Sequence, residues 1–109
     1  LLETSLPAFS KQIKKALKRK DILALNHRSS EFFASYFDLL FALNEQLHPG
    51  EKRMLSYAKK NCTLLPRDFE ANIQAYFQNL YQRDKLQEIL DTLNQLLEQL
   101  KSLVETTNH

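Results

Sequence analysis

The sequence predicts an all-α fold, an up-and-down bundle of four main helices plus one short helix, in a single domain covering residues 1–109. Three observations point there. Leu, Gln, Lys, Glu and Ala dominate, all strong helix formers, whereas Val occurs once and Trp is absent. Only one glycine and three prolines interrupt the chain, where average usage would give roughly seven and five. Apolar residues also recur at steps of three and four through most of the length. With 43% hydrophobic and 26% charged residues, the chain carries enough apolar surface to offset the conformational entropy that keeps low-hydrophobicity chains disordered.

The elements follow in order. Ser5 is placed to cap a first helix with Pro7 in its first turn, and Leu6, Phe9, Ile13, Ala16 and Leu17 carry its apolar stripe to about Lys20. Asp21 is placed to cap a second helix reaching about Leu47. Its Phe32/Tyr36/Leu39/Leu43 and Phe33/Phe37/Leu40/Phe41 rows lie on adjoining faces, and so wide a stripe predicts a central helix. His48-Pro49-Gly50 breaks the pattern. A short third helix is expected from about Glu51 to Asn61, burying Met54, Leu55 and Ala58. Leu65-Pro66 marks the next break, and Phe69, Ile73, Tyr76, Phe77 and Leu80 mark a fourth helix. The last helix, from near Asp84, repeats Leu86, Leu90, Leu93, Leu97, Leu100 and Val104, flanked by Ile89, Leu96 and Leu103. That row suits packing inside the bundle, and a coiled-coil homodimer through this helix is the alternative.

Several function classes are excluded. One cysteine, Cys62, forbids an internal disulfide, and His27, His48 and His109 are too scattered for a zinc site. No apolar run approaches the roughly 20 residues of a membrane span and no signal-peptide pattern opens the chain, so the cytoplasm is the expected compartment and no membrane partner is expected. A chain opening Leu1-Leu2-Glu3 without a methionine is expected to have been processed, truncated or excised from something longer. No Gly-x-Ser-x-Gly elbow, HExxH pair, CxxC pair or glycine-rich phosphate loop is present. The Arg-x4–6-His spacing of helical ribonucleases is also missing, because Arg19 and His27 stand too far apart. No catalytic residue and no cofactor is expected within these residues.

Two constellations remain. Lys11, Lys14, Lys15, Lys18, Arg19 and Lys20 gather six of the fifteen basic residues, with no acid between Glu3 and Asp21. Such a face attracts phosphates, or it serves as a solvated face complementing Asp84, Glu88, Asp91, Glu98 and Glu105 of the last helix. A net charge of only +2, with no aromatic residue between the lysines, disfavours nucleic acid as the partner. In the second constellation Asn44 continues the Phe37/Leu40/Phe41 row, so an amide sits where the core wants an apolar group and must be satisfied. One reading has Asn44 brace the turn around His48 to Gly50, another has Asn44, His48, Lys52 and Arg53 converge on a ligand at the positive end of the third helix, and the two are compatible. Tyr36, two turns before Asn44, is the tyrosine best placed to join them. Tyr36, Tyr57, Tyr76 and Tyr81 are otherwise expected to pack with their hydroxyls at the rim.

The stretch Leu39 to Leu55, LLFALNEQLHPGEKRML, resembles the C-terminal helical domain of an uncharacterised bacterial family of nucleotidyltransferase-like proteins. Those chains join a polymerase-β-like catalytic domain to a helical bundle with a Leu/Phe-rich helix, an Asn and a Pro-Gly-x-Lys turn. The resemblance extends over about residues 21–77 and places Asn44, Pro49, Gly50 and Lys52 at the family's characteristic positions. In the wider superfamily, which includes aminoglycoside and lincosamide nucleotidyltransferases, the helical domain forms part of the acceptor-substrate wall. The catalytic Gly-Ser and Asp-x-Asp motifs belong to the other domain, and neither occurs here. The resemblance thus implies a non-catalytic accessory domain whose partner is an N-terminal or separate nucleotidyltransferase domain, with nucleotide and Mg bound there. A dimerisation module and a polyanion-binding domain are the alternatives.

Overall fold

The computed structural model describes residues 5–50, 52–80, 82 and 84–107. Among them all regular structure is helical, in five helices. They are α1 (Ser5–Arg19), α2 (Ile22–Leu43), α3 (Met54–Asn61), α4 (Phe69–Asn79) and α5 (Leu86–Thr107). A radius of gyration of 13.6 Å matches the roughly 13 Å of a compact 100-residue domain.

Packing is pairwise. A two-residue turn folds α1 along α2, α4 lies along α5, and α1 also meets α5. The core is one cluster around α2, whose Leu25, Phe32, Phe33, Tyr36, Phe37, Leu40 and Phe41 are all buried. Burying each such side chain contributes roughly 1.5–3 kcal/mol, and α2 is the central helix that its wide stripe predicts. Its rings meet edge-on or tilted, as in Phe33–Tyr76 (5.3 Å) and Phe41–Tyr57 (5.7 Å), arrangements that the ring quadrupoles favour. Ser29 occupies a core position of α2, and its hydroxyl shares a 2.5 Å hydrogen bond with that of Tyr76 on α4.

The helix ends show how a chain nearly without glycine stops a helix. After α1, Lys20 is left-handed (φ 57°), with Lys20 N donating to Leu17 O (3.1 Å) and Asp21 N to Ala16 O (3.0 Å). This Schellman closure satisfies the last carbonyls. The same closure ends α2 at Leu43 rather than near Leu47. Glu45 is left-handed (φ 56°), Glu45 N donates to Ala42 O (3.1 Å), and Gln46 N donates to Phe41 O (2.9 Å). The Asp21 cap is present, its Oδ1 accepting from Ala24 N at 3.1 Å. Ser5 already lies inside α1, and the residues before it lie outside the described ones.

Two other helices start later than expected. Helix α3 begins at Met54 because Arg53 is left-handed (φ 58°), and Glu51 lies outside the described residues. Helix α5 begins at Leu86, two residues beyond Asp84. Some expected core positions are also shallower. In α3 only Ala58 is fully buried, with Met54 and Leu55 half-buried, while Phe77 and Leu86 are 47% and 39% exposed. The deepest row of α5 is Ile89, Leu93, Leu96 and Leu100, which places the centre of its stripe one row over from the Leu86-to-Val104 series. Leu93 and Leu100 have no exposed surface, so within one chain the seam is already occupied by the core.

Candidate functional site

The corner following α2 contains the residues that the sequence singles out. Asn44 caps α2, and its side chain is spent on structure. Its Nδ2 donates to Leu40 O (2.9 Å) and to Leu64 O (2.8 Å), while its Oδ1 accepts from Leu64 N (2.8 Å). The side-chain amide pairs with the Leu64 backbone as a neighbouring strand would, which satisfies both donors and the carbonyl. Asn44 is thus a brace, and the segment it braces is Leu64, twenty residues on, rather than the His48–Gly50 turn.

His48 is held separately. Its ring stands edge-on to Phe41 (5.4 Å), Nδ1 accepts from Gly50 N (3.0 Å), and Nε2 lies 3.6 Å from the Asp38 carboxylate. Gly50 has φ +93° with open space where a Cβ would stand, so backbone conformation rather than crowding selects glycine there. Lys52 and Arg53 are exposed and enter no ion pair among the described residues. They immediately precede α3, whose N-terminus has no side-chain cap and no acid in its first turn. The result is a cationic corner at the partially positive end of a helix.

Tyr36 does not open onto this corner. It has no exposed surface, its hydroxyl has no hydrogen-bond partner among the described residues, and burial pushes its ionisation well above the ordinary tyrosine value. Tyr76 is likewise fully buried, against the expectation of rim hydroxyls; Tyr57 is half-buried, and Tyr81 lies outside the described residues. Buried aromatic rings of α2 and α4 leave these two tyrosines no route to the rim.

The basic face of α1 forms as its spacing implies. Lys11, Lys15, Lys18 and Arg19 are exposed and Lys14 is half-buried, opposite Leu6, Ser10, Ile13 and Ala16. Arg19 bonds Asp21 (3.4 Å), whereas the lysines of α1 have no carboxylate partner among the described residues. The acids of α5 do not neutralise them, although α1 and α5 touch.

Cys62 is buried, and desolvation raises its thiol pKa, which disfavours the reactive thiolate. Among the described residues no group of three His, Cys, Asp or Glu side chains is placed to hold a metal, and no helix is long and apolar enough to cross a membrane. Sequence reasoning missed the Leu64 side of the Asn44 brace, since nothing in a Leu-Leu dipeptide marks its backbone as a partner. It also missed Ile22 and Leu86 as exposed residues. The signal was available for Ile22, because the Ile22-Leu23 pair directly after the Asp21 cap cannot face one core with both side chains.

Comparison with family models, with curated proteins and with solved structures finds no match for this chain.

Proposed function

We propose that residues 1–109 form a non-catalytic accessory domain of a nucleotidyltransferase-like protein in the cytoplasm, an up-and-down bundle of four main helices with α3 as the short fifth. The domain presents the cationic corner at Lys52 and Arg53 to the phosphates of a nucleotide, or to the acceptor, held by a partner catalytic domain that also binds Mg. The observation that carries this reading is the pairing state of the corner. Asn44 and His48 are engaged by the protein, whereas Lys52 and Arg53 stand exposed and without an ion-pair partner among the described residues, beside an uncapped helix start. Anions are favoured there by the unsatisfied amides and the helix dipole together.

The test is a titration of the isotope-labelled chain with ATP, read by amide chemical shifts. Shifts concentrated in Gly50–Tyr57, lost in Lys52→Ala and reduced by salt, are expected. Equal binding by Lys52→Ala, or shifts elsewhere, refutes the assignment. A second reading, a polyanion-binding face on α1, is favoured by one observation: Lys11, Lys15 and Lys18 are exposed and unneutralised. Affinity of the chain for a generic polyanion such as heparin, falling steeply with salt and abolished in a Lys11/Lys15/Lys18→Gln triple variant, would select it. Dimerisation through α5 has the least support, since Leu93 and Leu100 are covered within one chain.

A further inference from the structure

A cleft of about 510 Å³ opens at the end of the molecule where the α1–α2 turn meets the start of α5. Its floor is apolar: Ala16, Leu25, Leu80 and Ile89 are all buried. Its mouth is apolar as well, with Ile22 52% and Leu86 39% exposed, and Leu23, next to Ile22, 80% exposed. Leaving such side chains in water forgoes burial energy, and their grouping at one end of the molecule is the signature of a surface that takes an apolar ligand. The size lies within the range of small-molecule sites, which pair apolar walls with a few polar groups.

Among the described residues the polar groups at the cleft are Lys20, Asp21 and Gln82. Their states differ in a way that sets the sign of the ligand. The Asp21 carboxylate is engaged on both oxygens, Oδ1 by Ala24 N and Oδ2 by Arg19. Lys20 is exposed and enters no ion pair among the described residues. Among the described residues at the mouth, Lys20 is the cation left without a carboxylate partner, above an apolar floor.

We propose that this cleft binds a single-chain amphipathic anion, its hydrocarbon chain lying over Leu25, Leu80 and Ile89 and its carboxylate meeting Lys20. The charge complementarity at Lys20 and a cleft of about 510 Å³ favour such a ligand over a protein segment. The site is separate from the Lys52–Arg53 corner, and the two readings stand or fall independently.

The probe is dodecanoate, kept below its micellar concentration and followed by amide shifts and calorimetry, with dodecanol and dodecyltrimethylammonium in parallel. Saturable one-to-one binding is expected, with shifts at Ala16, Ile22, Leu25, Leu80 and Ile89. Dodecanoate should bind more tightly than dodecanol, and the cationic amphiphile most weakly. Lys20→Gly removes the charge at a left-handed residue where glycine is relaxed, so a fold defect does not confuse the result. It should weaken dodecanoate about fivefold, the scale of one exposed ion pair, and leave dodecanol unchanged. Absence of saturation, equal affinity for the cationic amphiphile, no effect of Lys20→Gly, or shifts outside the cleft would each overturn the proposal. So would binding to phosphatidylglycerol vesicles without binding of monomeric dodecanoate.

Discussion

Replacing Asn44 by alanine removes three hydrogen bonds, but the loss is not three equal parts. Leu40 O also accepts from Asn44 N at 3.2 Å, so that carbonyl remains satisfied. The Leu64 N–H and C=O lose the partners they hold at 2.8 Å, in a half-buried segment. A net hydrogen bond is worth about 0.5–1.5 kcal/mol, and leaving a buried group unpaired costs about 1–3. With water reaching part of the segment, the expected destabilisation is about 2–3 kcal/mol, a Tm decrease of roughly 10–20 °C at this chain length. Urea denaturation followed by circular dichroism measures it directly. Asn44→Asp should be at least as damaging at neutral pH, because a carboxylate oxygen would then face the Leu40 and Leu64 carbonyls. The deficit relative to wild type should shrink in acid, where the protonated form again donates. A loss below about 0.5 kcal/mol in Asn44→Ala, given the cost of an unpaired group, would refute the brace. Ligand binding impaired at unchanged stability would return Asn44 to a binding role.

Three further outcomes are expected. Tyr36→Phe deletes a buried hydroxyl without a partner and should be neutral or stabilising by about 1 kcal/mol in the same assay. Because burial raises the folded-state Tyr36 pKa above its unfolded value, its contribution is fully present below about pH 10 and is lost as pH rises further; Tyr36→Phe should flatten that alkaline decline. Glu45→Gly relieves a left-handed residue at a Schellman position and should raise stability by about 0.5–1 kcal/mol, read by its urea midpoint. Cys62, buried and with its thiol pKa raised by desolvation, should resist iodoacetamide at pH 8 in the folded chain and react promptly in urea; equal rates in both states would contradict its burial.

Much of the fold was legible because periodicity reports burial. The wide stripe of α2, the Asp21 cap and the existence of a break between α2 and α3 could be read from residue order alone. The ends of helices were less legible, since the chain closes α1 and α2 with Lys20 and Glu45, residues that carry no turn signature of their own. At the corner, the sequence marked Asn44 as a polar group needing partners, which is correct physics, but its partner was a backbone twenty residues away. Backbone groups are the same at every position, so no side-chain pattern points to them. Tyr36 illustrates the converse: helical spacing put it near Asn44, while its ring is fully buried among Phe32, Phe33 and Phe37.

The Asn44–Leu64 pairing also divides the chain into a frame and an insert. Because it ties the end of α2 directly to the segment leading into α4, the stretch between them, α3 included, leaves and re-enters the frame at one fastened point. Among the described residues of that stretch only Ala58 and Cys62 are buried, and lengthening a loop whose ends are already joined costs little entropy. The α1–α2 and α4–α5 pairs make their contacts outside that stretch, so a longer connection around α3 leaves both pairs as they are.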